Sequence, residues 1–84
     1  MPPAKTLGDT LRDARLALGL SLREVARRGN IAPSYLSDIE HDRRTPAEEV
    51  LHALAALLEL DFDDLMAQAG RIGDDAERYL SGSG

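Results

Sequence analysis

The chain has no cysteine and no tryptophan. Disulfides and thiolate metal sites are therefore excluded, while the redox compartment is left open. Aromatics are confined to Tyr35, Phe62 and Tyr79, and β-branched residues are sparse, so the usual strand formers are in short supply. No apolar run approaches the roughly 20 residues needed to cross a bilayer. The opening stretch MPPAKTLGDT lacks the apolar core of a signal peptide. A cytoplasmic protein is the default expectation. Positive charge is also scarce: ten Lys and Arg stand against fifteen Asp and Glu, a net charge of −5. Taken as a total, that balance argues against a nucleic-acid partner.

What is present points to helices. Of the 84 residues, 43% are apolar, mostly Leu and Ala, which rank among the best helix formers. The length suffices for one small domain with a modest core. The charge is unevenly placed. Residues 1–46 hold eight basic residues (Lys5, Arg12, Arg15, Arg23, Arg27, Arg28, Arg43, Arg44) against six acids, whereas residues 47–84 hold two against nine. A polyanion responds to local potential, so a basic half can attract it while an acidic far side maintains solubility.

Caps and stops divide the chain. Thr6 can cap a first helix of about Leu7 to Leu18, with Leu7, Leu11, Ala14 and Leu18 at helical spacing and Gly19 as the stop. SLRE, Ser21 to Glu24, reads as a capping box opening a short helix that ends near Arg28, before Gly29 and Asn30. Pro33 suits the first position of a third helix running to about His41. TPAE, Thr45 to Glu48, reads as another capping box, followed by a stripe of Val50, Leu51, Leu54, Leu57 and Leu58. DFDDLMAQAG predicts a fifth helix stopped by Gly70, with Asp61, Asp63 and Asp64 near its positive end. A weaker helical patch at about Asp75 to Leu80 precedes the tail SGSG. The expected fold is all-α: a compact five-helix bundle with a marginal sixth C-terminal helix. Residues 1–70 make the domain, and 71–84 a short extension serving as a dimerisation arm or a partly disordered tail.

The second and third helices are too short to be stable alone. A few residues separate them, and their neighbours must brace them, leaving the outer face of the third helix free. This is the arrangement of a helix-turn-helix, whose second helix enters the DNA major groove. The run LSLREVARRGNIAPSYLSDIEHDRRTPAEEVLHALAALLELDFDDLM resembles the Xre/Cro-type helix-turn-helix domain of lambdoid phage repressors and many bacterial regulators. The likeness covers about Leu7 to Met66. It rests on Ala26 at the helix–helix contact, Ile31 in the turn, YLSDIE in the recognition helix, and the Arg-Arg-x-Pro segment before an aliphatic fourth helix. Departures from the family pattern are Leu22 in place of a frequent glutamine, Asn30 after Gly29 in the turn, Ala32 where a capping Ser or Thr is common, and Asp42 where a glycine is usual.

The resemblance implies roles. Pro33, Ser34, Ser37 and Asp38 would face the bases; hydroxyls can donate or accept at a base edge, and Asp38 could accept from a cytosine amino group. Arg23, Tyr35, Arg43 and Arg44 would contact phosphate, where a guanidinium can make two bonds. Arg15 and Glu40 would form a structural ion pair. A single recognition helix reads too few base pairs to discriminate against a genome, so two copies on a palindrome are expected. By resemblance, Leu58, Leu60, Phe62, Leu65 and Met66 are the dimer-interface candidates, some of them reserved for the core.

Other chemistries find little footing. Arg27 and Arg28 read as a solvated face. His41 and His52 share no helical face and have no third ligand, so no metal and no cofactor is expected. No nucleophile–base set converges, which argues against an enzyme. The function read from the sequence is sequence-specific binding of double-stranded DNA by a transcriptional regulator, a repressor acting as a homodimer on a palindromic operator. The alternative is a protein-interaction module, such as an antitoxin or coactivator using the same fold, which the acidic C-terminal half would suit.

Overall fold

Thr6 opens the first helix by a reciprocal pair of bonds: its hydroxyl accepts from the Asp9 amide at 3.1 Å, and the Asp9 carboxylate accepts from the Thr6 amide at 3.4 Å. In the computed structural model, which describes residues 5–70, this helix (α1) spans Leu7–Ala17. Ser21 caps α2, Leu22–Arg28, by accepting from the Glu24 amide at 3.0 Å. The reciprocal half of that box does not form, because the Glu24 carboxylate is held by Arg27 and Arg28 instead. Helix α3, Pro33–Glu40, starts with proline and no side-chain cap. Helix α4 is Glu48–Leu58 and α5 covers 62–70. Asp61 caps α5 through the Asp64 amide at 3.1 Å. No strand occurs among the described residues.

Two starts and stops differ from the sequence reading. The TPAE box does not close: Ala47 is the N-cap of α4, without a side-chain bond, and Pro46 lies buried one residue outside the helix. Gly70 is still helical, so it does not stop α5 within the described residues. The patch at Asp75 to Leu80 and the rest of the 71–84 extension lie outside them.

The first four helices end on one device, a left-handed residue that turns the chain back. These residues are Gly19, Asn30, Asp42 and Glu59, with φ of 71°, 57°, 59° and 57°. Gly29, beside the turn residue Asn30, is itself right-handed, with φ −85°. After all four the following amide closes a six-residue ring, Leu20 to Arg15, Ile31 to Ala26, Arg43 to Asp38 and Leu60 to Ala55, at 3.1, 2.9, 2.8 and 2.9 Å. This is the Schellman closure, in which the residue after the left-handed one is commonly apolar and packs back on the helix. Leu20, Ile31 and Leu60 follow that rule and lie half-buried against the core. Arg43 is the exception; it is exposed.

The core is a single cluster. Leu7, Leu11, Val25, Ala26, Leu36, Ile39, Leu51, Leu54, Ala55, Leu58, Leu65 and Ala69 are buried in it. Helix α3 packs on both α1 and α2, and α4 packs on the same two helices. Leu18, expected on the apolar stripe of α1, is instead exposed at the helix end, as is Leu16.

Candidate nucleic-acid interface

The base of the site is a close approach of α1 to the end of α3. Gly8 lies in the first turn of α1, and a Cβ there would meet the backbone of Ile39 and Glu40, with the Ile39 carbonyl oxygen at 2.8 Å and the Glu40 carbonyl oxygen nearer still. Its amide donates to Asp42 Oδ1 at 2.9 Å. Asp42 thus accepts a bond that a glycine at this turn could not. Sequence reasoning missed Gly8, because nothing local marks a glycine in a first turn as a contact.

Arg15 and Glu40 make a second tie between the same helices. Arg15 Nε and Nη2 donate to the two carboxylate oxygens of Glu40 at 2.8 and 3.0 Å, and Nη1 donates to the Leu20 carbonyl at 3.0 Å. Their side chains are 11% and 3% exposed. The hydrogen bonds it donates to Glu40, outweighing burial, hold the Arg15 guanidinium above its ordinary pKa. Both charges are consumed within the pair, and the structure uses them to fix the angle of α3.

Braced this way, α3 turns Leu36, Ile39 and Glu40 inward. Pro33 and Ser34 are exposed, while Tyr35, Ser37 and Asp38 are half-exposed. Tyr35 has two attachments: its hydroxyl accepts from the Ala47 amide at 3.3 Å, and its ring lies 5.8 Å from the Arg44 guanidinium carbon. Its O–H remains available as a donor. Asp38 Oδ1 is 3.8 Å from Arg43 Nη1 and its Oδ2 is 3.6 Å from Arg44 Nε. Arg23, in the first turn of α2, is exposed. Arg27 and Arg28 turn back onto Glu24 at 2.6 and 2.8 Å and form a solvated ion-pair cluster on their own helix. The outer face of α3 thus presents small polar side chains, with two arginines at its C-terminal end.

The dimer candidates divide. Leu58 and Leu65 are 3% and 1% exposed and belong to the core, so neither is available to a partner. Leu60, Phe62 and Met66 are half-buried, and Phe62 stacks on His52 with ring centroids 4.1 Å apart. Among the described residues no group of three His, Cys, Asp or Glu side chains is placed to hold a metal ion. No helix among them is long and apolar enough to cross a membrane.

Known proteins share this arrangement. The family described as "Helix-turn-helix" matches residues 11–65. The transcriptional regulator ClgR of Mycobacterium tuberculosis is 38% identical over 66 residues, spanning 79% of this chain and 59% of ClgR. The chain thus spans a little over half the length of the curated relatives it matches. SinR, described as the master regulator for biofilm formation and known from Bacillus subtilis, has been solved in complex with DNA. That structure is 32% identical, covers 73% of this chain and 98% of its own, and superposes with a TM-score of 0.67. A complex of SinR with the protein SinI is 27% identical, covers 94% of this chain and 82% of that one, and gives a TM-score of 0.68. A family match over most of the described residues, relatives named as transcriptional regulators and five helices in this arrangement give one conclusion: the chain belongs to the Xre/Cro-type helix-turn-helix family.

Proposed function

We propose that the protein is a cytoplasmic transcriptional regulator that binds double-stranded DNA sequence-specifically, a repressor acting as a homodimer on a palindromic operator. The observation that carries the reading is the free outer face of α3, with Pro33, Ser34, Ser37 and Asp38 toward solvent and Arg43 and Arg44 at its end. Side chains of that size let a helix lie deep in the major groove, and the arginines flank it where phosphates pass. Tyr35 adds its O–H donor, and Arg23 adds a second basic flank from α2. SinR, a relative of the same fold, has been solved in complex with DNA, which supports DNA binding by this chain. Dimerisation falls to Leu60, Phe62 and Met66, the half-buried candidates that remain once Leu58 and Leu65 are assigned to the core.

Fluorescence anisotropy against duplex from the gene's own upstream region and a scrambled duplex, at two salt concentrations, tests this reading. Salt-sensitive binding that favours the natural sequence by at least about 10³ is expected. Arg44→Ala should weaken binding to all duplexes alike and lower the salt slope by about one unit, whereas Ser34→Ala should change sequence preference. Indiscriminate or absent binding would favour a second reading, a protein-binding module. That alternative is supported by the exposed acids of α4 and α5, Glu48, Glu49, Glu59, Asp61, Asp63 and Asp64, and by the SinI complex of SinR.

A further inference from the structure

We infer that Asp38 is a specificity-determining residue that acts through the arginines: in the free protein it occupies the phosphate clamp, so that DNA must displace it. The inference rests on the proposed DNA-binding reading and extends it. Three observations carry it. The first is the anomalous closure of α3. Every other left-handed helix end is followed by an apolar residue packed on the core, Leu20, Ile31 or Leu60, whereas here Arg43 takes that position. Its amide is tied to the Asp38 carbonyl at 2.8 Å, so the turn itself delivers the arginine pair to Asp38. The second is that both arginines face the same carboxylate, one oxygen each, at 3.8 and 3.6 Å. The third is that Arg44 also lies over the Tyr35 ring, 5.8 Å from its centroid, and Tyr35 is itself anchored to the Ala47 amide. The cluster is assembled by the fold, on the face proposed to meet DNA.

The consequence is an exchange. Phosphate oxygens compete with Asp38 for the two guanidinium groups, and a released carboxylate near the polyanion is repelled unless something replaces its partners. A cytosine amino group in the groove donates to a carboxylate and supplies that replacement. The adenine amino group can donate in the same way, whereas guanine and thymine present only acceptors or a methyl group in the major groove and do not. The negative charge therefore penalises every duplex and is compensated on the right one. It lowers non-specific affinity more than specific affinity, and discrimination is a difference between the two.

The experiment compares the wild type with Asp38→Asn, in the natural background and in Arg43→Ala/Arg44→Ala. The probes are a fluorescein-labelled scrambled duplex and the duplex that the wild type enriches from a randomised pool. Circular dichroism melts establish that each variant folds. Asp38→Asn should tighten binding to the scrambled duplex about tenfold at low salt and steepen the salt slope by about one unit. The ratio of enriched to scrambled affinity should fall about tenfold, and the gain on scrambled DNA should vanish when both arginines are absent. Unchanged or weakened binding to scrambled DNA in a folded Asp38→Asn protein overturns the inference while leaving DNA binding intact. An equal gain with and without the arginines also overturns it, since the charge would then act on DNA directly. If the wild type enriches no duplex and neither protein shows salt-dependent binding, both this inference and the DNA-binding reading fall.

Discussion

At the scale of single residues, small differences in surroundings reverse ordinary expectations. Gly→Ala in an early helical turn usually stabilises a protein by about 0.4–1 kcal/mol. At Gly8 a Cβ would overlap backbone atoms that cannot rotate away, with the Glu40 carbonyl carbon at 2.7 Å. Overpacking of this kind costs about 1–3 kcal/mol, so the clash wins. Gly8→Ala should lower the unfolding free energy by about 1–2 kcal/mol in urea melts, and an unchanged or raised midpoint would contradict the close approach. Asp42 reverses an expectation too. Its left-handed backbone is one that glycine adopts with less strain, yet its carboxylate accepts from the Gly8 amide. Asp42→Gly should relax the backbone and still lose about 1 kcal/mol, because a charge-assisted bond is worth about 1.5–3 kcal/mol.

Arg15 and Glu40 show the larger stakes of burial. Removing one member strands the other charge, a loss of about 3–5 kcal/mol, against a total stability on the order of 5–10 kcal/mol for a domain this small. Arg15→Ala should leave the protein marginal at room temperature by circular dichroism. Arg15→Met combined with Glu40→Leu should recover most of the loss, since a buried ion pair is often no better than an apolar pair of similar volume. Failure of the double variant to recover would mean that the Leu20 carbonyl, also bound by Arg15, depends on the guanidinium.

At the scale of elements, caps and closures set the helix lengths. The starts of α1, α2 and α5 use side chains, Thr6, Ser21 and Asp61; those of α3 and α4 do not. Ala32 already has the extended backbone of a cap residue, with φ −69° and ψ 142°. Ala32→Ser should therefore supply the missing acceptor and stabilise the protein by about 1 kcal/mol, seen as a rise in Tm. The starts that use side chains were legible from sequence because a cap is a local chemical fact. The TPAE box failed for a tertiary reason: Pro46 is drawn into the interior, and the helix cannot begin until the chain has left it. The closure after α2 was half legible. Gly29 and Asn30 both qualify for a left-handed turn, and only packing assigned it to Asn30, leaving Gly29 where a Cβ would lie 3.6 Å from Leu57 Cδ1.

At the scale of the molecule, charge placement governs response to acid. Asp13 is held below its ordinary value chiefly by a hydrogen bond from Lys5, and Glu24 by hydrogen bonds from Arg27 and then Arg28. Groups depressed in the folded state contribute stability that is complete above their unfolded values and is lost as pH falls through the folded ones. Tm should be level from neutral pH to about 4.5, the ordinary value for Glu24, and decline below it. Glu24→Gln should flatten part of that decline, and a Tm already falling between pH 7 and 5 would show that other groups dominate. Both pairs are solvent-exposed, so salt should weaken the effect.

The residues alone determined the existence of five helices and the pairing of the second with the third, because helical spacing and caps are written within a few positions of one another, while the family was read from its resemblance. The list of side chains facing outward from α3 was equally readable, since the periodicity of a short helix separates its buried face from the other. Only the tertiary structure decided which of those side chains are already engaged. Asp38 meets two arginines, the Tyr35 hydroxyl meets the amide of Ala47 at the cap of α4, and Asp42 meets Gly8 from 34 positions away. It also decided that Leu58 and Leu65 belong to the core. The physical reason is range: a cap or a turn is a bargain between neighbours in sequence, whereas an ion pair or a close backbone approach exists only once separate helices have been brought to the same place.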